Sequence, residues 1–159
     1  MNPTPVETKN LCFILCTTEQ CRADIERLSP SDRAQVSPVW LARLEAAPSP
    51  DPWVHGFTVV HRESGVPVGK CGFKGPPSER VVEIAYGIAS EHQGKGYATE
   101  AAQAVTAFAL ASGLVDVVRA HTLPESNASG RVLAKCGFRH LGEVIDPEDG
   151  LVWRWEAHA

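Results

Sequence analysis

Apolar and polar positions along this chain follow two periods, one near 2 and one near 3.6, and they change over at glycines and prolines. The apolar run at 11–16, LCFILC, predicts a strand buried on both faces. Thr18 is placed to cap a helix whose Cys21, Ile25 and Leu28 fall at helical spacing, closing before Ser29-Pro30. Pro38 fits the first turn of a second helix through Ala46, with Trp40, Leu41 and Leu44 on one side. The APSPDP segment at 47–52 reads as a loop.

From Trp53 the period shortens. Residues 53–62 and 66–73 read as strands joined by the turn Glu63-Ser64-Gly65, and Gly75-Pro76-Pro77 turns the chain into a third strand at 81–88. A polar connection with two glycines, 91–96, leads to an alanine-rich segment with Ala101, Val105, Phe108 and Ser112 at helical spacing, which Gly113 is placed to stop. A strand at 115–123 is broken by Pro124. A helix at 127–136 ends on Gly137, and strands at 138–145 and 151–157 close the chain. The order β-α-α-β-β-β-α-β-α-β-β is that of an α+β domain, a mixed and mostly antiparallel sheet flanked by helices. We expect residues 1–10, with two prolines, to be a loose arm and 11–159 to form a single domain.

Strand, glycine turn and helix aim several main-chain N–H groups and a helix N-terminus at one point, and such a point attracts phosphate. The predicted anion site is therefore Gln93, Gly94, Lys95, Gly96, Tyr97, Ala98 and Thr99. A P-loop is excluded because Ala89 and Gly96 stand where it needs glycine and Ser or Thr. A dinucleotide fingerprint would use Gly94 and Gly96 with Asp116 downstream, but Thr99 stands where a third small residue is needed.

Charge and cysteine usage narrow the classes. A net charge of −4 argues against a general nucleic-acid binder, and no apolar run is long enough for a membrane helix. The five cysteines are odd in number without a C-x-x-C pair, so we expect free thiols and a cytoplasmic setting. A zinc site from Cys12, Cys16 and Cys21 is disfavoured because Cys12 and Cys16 lie in an apolar run, and the histidines show no metal spacing.

The segment Gln93-Gly94-Lys95-Gly96-Tyr97-Ala98 matches the Q/R-x-x-G-x-G/A signature of the GNAT superfamily of N-acetyltransferases. Asn127 to Phe138, NASGRVLAKCGF, resembles the second motif of that superfamily and closes on its usual Gly-Phe. The two motifs cover the C-terminal half in the family's order. Tyr97-Ala98-Thr99-Glu100-Ala101 and the Asn-x-Ser segment look most like the subgroup that acetylates N-termini of ribosomal proteins.

That resemblance implies acetyl-coenzyme A as cosubstrate, no metal, and direct transfer to an amine, either a peptide or protein N-terminus or a small molecule, by a monomer or homodimer. It implies that the strand at 81–88 splays from the next one around the pantetheine arm and that the N–H near Ile88 polarises the thioester. Glu83 is the candidate base, with pairing to Arg80 or Arg119 as its structural alternative. Ser129 is the candidate donor to the departing thiolate, with helix capping as its alternative. Gln93 either supports the turn or binds phosphate. Leu133 stands where many members carry a phenolic acid, and Ser126 stands where the subgroup often has asparagine, with Asn127 following, so Asn127 and Ser126 are alternative candidates for reaching the cofactor. Without that phenol, a non-catalytic acyl-coenzyme A sensor is the competing reading.

Overall fold

The structure is a computed structural model describing residues 7–159. The chain runs β1 (Leu11–Leu15), α1 (Thr18–Glu26), α2 (Pro30–Ala34), α3 (Pro38–Ala46), α4 (Pro52–His55), β2 (Phe57–His61), β3 (Pro67–Phe73), β4 (Val81–Ile88), a 3₁₀ turn (Ser90–His92), α5 (Tyr97–Ala111), β5 (Val117–Thr122), α6 (Ala128–Lys135), β6 (Arg139–Asp146) and β7 (Gly150–His158). The seven strands form one sheet in the order β1-β2-β3-β4-β5-β7-β6. Every neighbouring pair is antiparallel except β4 and β5, which are parallel over only Val81 to Glu83. The expected mixed, mostly antiparallel sheet is therefore the observed one.

α5 lies on one face of the sheet because its inner stripe is small: Ala101, Ala102, Val105 and Ala109 are fully buried. They meet Val82 and Ile84 of β4, Val118 and Ala120 of β5, and Phe13 and Val59 at the far edge. Burying side chains of valine or leucine size contributes about 1.5–3 kcal/mol each. A second, smaller cluster joins Cys16, Cys21, Leu44 and Val54, with Trp40 against it, beneath α1 and α3.

α6 is delimited at both ends by recognisable chemistry. The Asn127 side chain accepts from Gly130 N at 3.0 Å as its N-cap. At its end Gly137 takes φ +86, Gly137 N donates to Ala134 O and Phe138 N to Leu133 O, the paired bonds of a Schellman stop. Gly-Phe is thus explained locally: the first residue takes the left-handed turn and the second is buried.

Four expectations are corrected. The strand expected from Trp53 starts at Phe57, because Asp51 accepts from Trp53 N and Pro52 opens the short helix α4, which Gly56 ends at φ +71. Ser29 caps a further short helix, α2, over Pro30–Ala34. The cap of α1 is Thr17, not Thr18, in a reciprocal box with Gln20. β1 is buried on one face only, since it is an edge strand and Ile14 is 53% exposed. Of the expected arm, residues 1–6 lie outside the described residues. Residues 7–10 are held: Thr8 and Asn10 both bond the Glu100 carboxylate in the first turn of α5. Among the described residues no helix is long and apolar enough to cross a membrane.

Candidate active site

The head of α5 is uncapped. Its N-cap is Gly96, at φ +84 and without a side chain, and Gly94 stands at φ +80. Positive φ is inexpensive only for glycine, so these two residues allow the turn its shape. Among the described residues, none of the main-chain N–H groups of Gly94, Lys95, Gly96, Tyr97, Ala98 and Thr99 donates to a protein acceptor. Helix N-termini are ordinarily completed by a Ser, Thr, Asp or Asn side chain. Here that acceptor is missing and the donors face a cavity.

The cavity has a volume of about 450 Å³ and runs from this turn into a gap in the sheet. Its walls include Gln93, Gly94, Gly96, Tyr97, Ala98 and Thr99 from the turn, Tyr86, Gly87 and Ile88 from β4, and Ser129, Arg131 and Lys135 from α6. The gap follows from strand pairing. Lys74 N donates to Glu83 O and Ala89 N to Val68 O, so the odd residues of β4 turn their main-chain groups to β3. The even residues turn theirs toward β5. Pairing with β5 stops at Glu83, so the main-chain groups of Tyr86 and Ile88 face the gap with no strand beyond. Gln93 Nε2 donates to Ile88 O at 2.9 Å, which ties the turn to the end of the strand.

A second opening lies across β4. A cavity of about 280 Å³ shares Tyr86 and Gly87 with the first and is bounded by Trp40, Gly72 and Ala85. It shares Trp40 and Phe73 with a third of about 230 Å³, bounded by Gln35, Ser37, Lys74, Glu148 and Asp149. Ser37 Oγ donates to Glu148 Oε1 at 2.7 Å and so bridges α3 to the β6–β7 turn.

Polar side chains gather on that face where β4 leaves β5. Glu83 Oε2 is 3.0 Å from Lys74 Nζ and 3.3 Å from His121 Nδ1. Lys74 Nζ also lies 2.5 Å from Asp149. Burial pushes the Glu83 carboxyl up, but His121 and the Lys74 ammonium outweigh it, so the group sits below the ordinary glutamate range and is a carboxylate at neutral pH. Burial opposes the charge of Lys74, yet Asp149 and Glu83 raise its pKa, which keeps it an ammonium.

The structure thus gathers the sequence-predicted residues of the turn other than Lys95, with Ile88 and Ser129, around one cavity, and sets Glu83 at the fork of the strands. The arginines expected beside Glu83 are engaged elsewhere: Arg80 with Asp116 at 2.6 Å and Arg119 with Glu156 at 2.7 Å. Asp116 is therefore tied at the start of β5, away from the turn, and the antiparallel strands before β4 remove the dinucleotide reading. Capping of α6 falls to Asn127 rather than Ser129, and Asn127 is not among the cavity walls. The five cysteines are free; Cys16 and Cys21 lie together in the second core cluster, and Cys12 is not part of it. The 47–52 loop walls a separate cavity of about 640 Å³ with Trp53 and Phe108, which touches neither the turn nor Glu83.

None of Lys74, Tyr86, His121 and Arg154 is among the residues that sequence reasoning placed at the site. Tyr86 was reachable from the alternation of β4, whose even positions face the helices. Lys74, His121 and Arg154 come from other strands and have no local signal.

Comparison with known proteins agrees with this architecture. The chain is 30% identical over 93 residues to the uncharacterized N-acetyltransferase p20 of Bacillus licheniformis, covering 58% of this chain and 52% of that protein. It is 33% identical over 89 residues to the uncharacterized N-acetyltransferase YjdG of Bacillus subtilis, covering 55% and 51%. The chain thus spans about half the length of the curated relatives it matches. Among solved structures, a GNAT-family acetyltransferase from Bacillus anthracis superposes with a TM-score of 0.70 at 21% identity, over 96% of this chain and 97% of that one. RimL, described as a ribosomal L7/L12 alpha-N-protein acetyltransferase in complex with coenzyme A, superposes with a TM-score of 0.68 at 14% identity, over 95% of each. Residues 7–139 match the family described as the acetyltransferase (GNAT) domain, which is most of the chain, and the protein belongs to that family.

Proposed function

We propose that the protein transfers an acetyl group from acetyl-coenzyme A to a primary amine by direct attack, with no metal and no covalent enzyme intermediate. The observation that carries this reading is the row of free amides at the head of α5, opening into the same cavity as the gap between β4 and β5. A diphosphate satisfies those amides, and Lys95, Arg131 and Lys135 lie nearby to offset its charge. The pantetheine arm fits the gap as an added strand against the main-chain groups of Tyr86 and the N–H of Ile88. A donor such as Ile88 N–H, aimed at the thioester oxygen, contributes about 3–4 kcal/mol to a tetrahedral transition state.

The amine enters from the Trp40 side. In its neutral form it attacks the carbonyl carbon, and Glu83, directly or through water, takes the proton the nitrogen then sheds. Collapse breaks the C–S bond, and Ser129 is positioned on the α6 side to protonate the thiolate. A free thiol pKa of about 8.5 makes thiolate an acceptable leaving group even without a strong acid.

The acceptor side carries Glu83, Asp146, Glu148 and Asp149 against Lys74, which suits a cationic amine. A peptide N-terminus, with pKa about 7.7–8.0, is on the order of 10% neutral at pH 7, while a lysine amine near about 10.4 is neutral only to about 0.04%. We therefore favour a peptide or protein N-terminus or a weakly basic small amine, in the cytoplasm. The alpha-N-protein acetylation that RimL is named for is consistent with that class. Release of free thiol from acetyl-coenzyme A on adding a dipeptide and amine panel tests the reading. Coenzyme A binding without thiol release from any acceptor would instead favour the sensor.

A further inference from the structure

We infer that His121, held as its neutral Nδ1–H tautomer by Arg154, is a positioning residue that aims the Glu83 carboxylate at the incoming amine. This rests on the reading of Glu83 as the base. Arg154 Nε donates to His121 Nε2 at 3.1 Å. A guanidinium has donors only, so Nε2 must offer its lone pair and the ring proton belongs on Nδ1. Nδ1 points at Glu83 Oε2, 3.3 Å away, with Asp146 Oδ1 at 3.8 Å. The His121 side chain is 4% exposed, and neither Nδ1 nor Glu83 Oε2 has a well-formed hydrogen bond. A buried donor and a buried acceptor left that close are complementary, and such contacts tighten when a substrate arrives.

The charged groups around the ring are Glu83 from β4, Asp146 from β6 and Arg154 from β7, with Lys74 behind Glu83. Lys74 and His121 both address Oε2. Oε1 has no partner among the described residues and is the oxygen left for the amine proton. A protonated ring would set an N–H against the Arg154 N–H and add a full charge beside the carboxylate, which would weaken it as a base. Arg154 therefore fixes Nε2 as the acceptor and Nδ1 as the donor of the ring. Glu83, His121 and Asp146 place their donor atoms within 4.8 Å of one another, as a cation site would. A cation there would need the Nδ1 lone pair that the tautomer removes, and would sit beside the Lys74 ammonium.

The test compares wild type with Glu83→Gln, His121→Ala, His121→Asn and Arg154→Met, each checked for an intact fold by circular dichroism. His121→Ala should lower kcat by about tenfold or more with KM for acetyl-coenzyme A little changed. His121→Asn, whose amide N–H reproduces the Nδ1 donor, should recover most of that loss. Arg154→Met, which frees Nε2 to carry the ring proton instead, should lower kcat in the same direction as His121→Ala. In long-range ¹⁵N spectra the His121 ring should be the Nδ1–H tautomer in wild type and a mixture of tautomers in Arg154→Met. A wild-type ring in the Nε2–H form, a kinetically silent His121→Ala, His121→Asn as impaired as His121→Ala, or zinc binding lost in His121→Asn would each overturn the inference. If Glu83→Gln keeps full kcat, the reading of Glu83 as base fails. If Glu83→Gln is inactive while the His121 and Arg154 variants are silent, only the present inference fails.

Discussion

The Tyr86 hydroxyl donates to the main-chain oxygen of Ser129 across 3.3 Å, joining β4 to the first turn of α6 at the mouth of the gap. Both residues wall the cavity at the head of α5. Burial pushes the Tyr86 phenol up to about 12, against the Ser129 contact that lowers it, so it is an O–H donor throughout the neutral range. The motif position where other family members carry a tyrosine is Leu133, which is fully buried in the core. Tyr86 therefore supplies a phenol to the same cavity from a different element.

Tyr86→Phe and Ser129→Ala separate two ways of protonating the thiolate. Each should leave coenzyme A affinity within about threefold, and the one that supplies the proton should lower kcat by about 10²-fold. Steady-state rates with the best acceptor, beside calorimetric binding of coenzyme A, check this. If both retain full kcat, water is the acid.

Gly96→Ala forces a β-carbon onto a residue at φ +84, although open space surrounds the added atom. The expected cost is about 1–2 kcal/mol of stability from backbone strain, with a loss of coenzyme A affinity of at least tenfold as the free amides move. Lys95→Ala should cost far less affinity, because the amides rather than that side chain carry the site. Thermal melts and calorimetry of the two variants decide the matter.

The pH dependence has a definite sign. Glu83 titrates below the ordinary glutamate value, so it stays ionised across the neutral range and the acid limb of kcat/KM should follow the acceptor amine. Exchanging a peptide N-terminus for a lysine-like amine should move that limb upward by about 2.5 units. For stability, a depressed carboxylate pKa contributes above the unfolded value of about 4.3 and is lost as pH falls through the lower folded value. Glu83→Gln should therefore lower the urea midpoint at neutral pH, and the difference from wild type should close in acid.

Asn127→Ala removes the cap of α6 and should lower stability by about 1 kcal/mol, whereas Asn127→Asp should retain most of it. Coenzyme A affinity should change little, since Asn127 does not line the cavity. A large loss of affinity at unchanged melting temperature would instead assign Asn127 to the cofactor.

Much of the turn and cavity at the head of α5 was legible in the sequence because its causes are local. Gly94 and Gly96 turn the chain, Tyr97 starts a helix with no side chain to cap it, and alanines at helical spacing bring that helix onto the sheet. Gly137-Phe138 stops α6 through bonds only a few residues long. Local rules also misled: Asp51-Pro52 capped a helical turn where period alone suggested strand. The cluster around Glu83 was decided by tertiary structure, since Lys74, Glu83, His121, Asp146 and Arg154 lie on five segments. They meet only when β4 and β5 pair for three residues and then part. Which carboxylate is buried beside which cation depends on that register, and a one-residue slip of β4 would have turned Glu83 to the core face and left the fork without it.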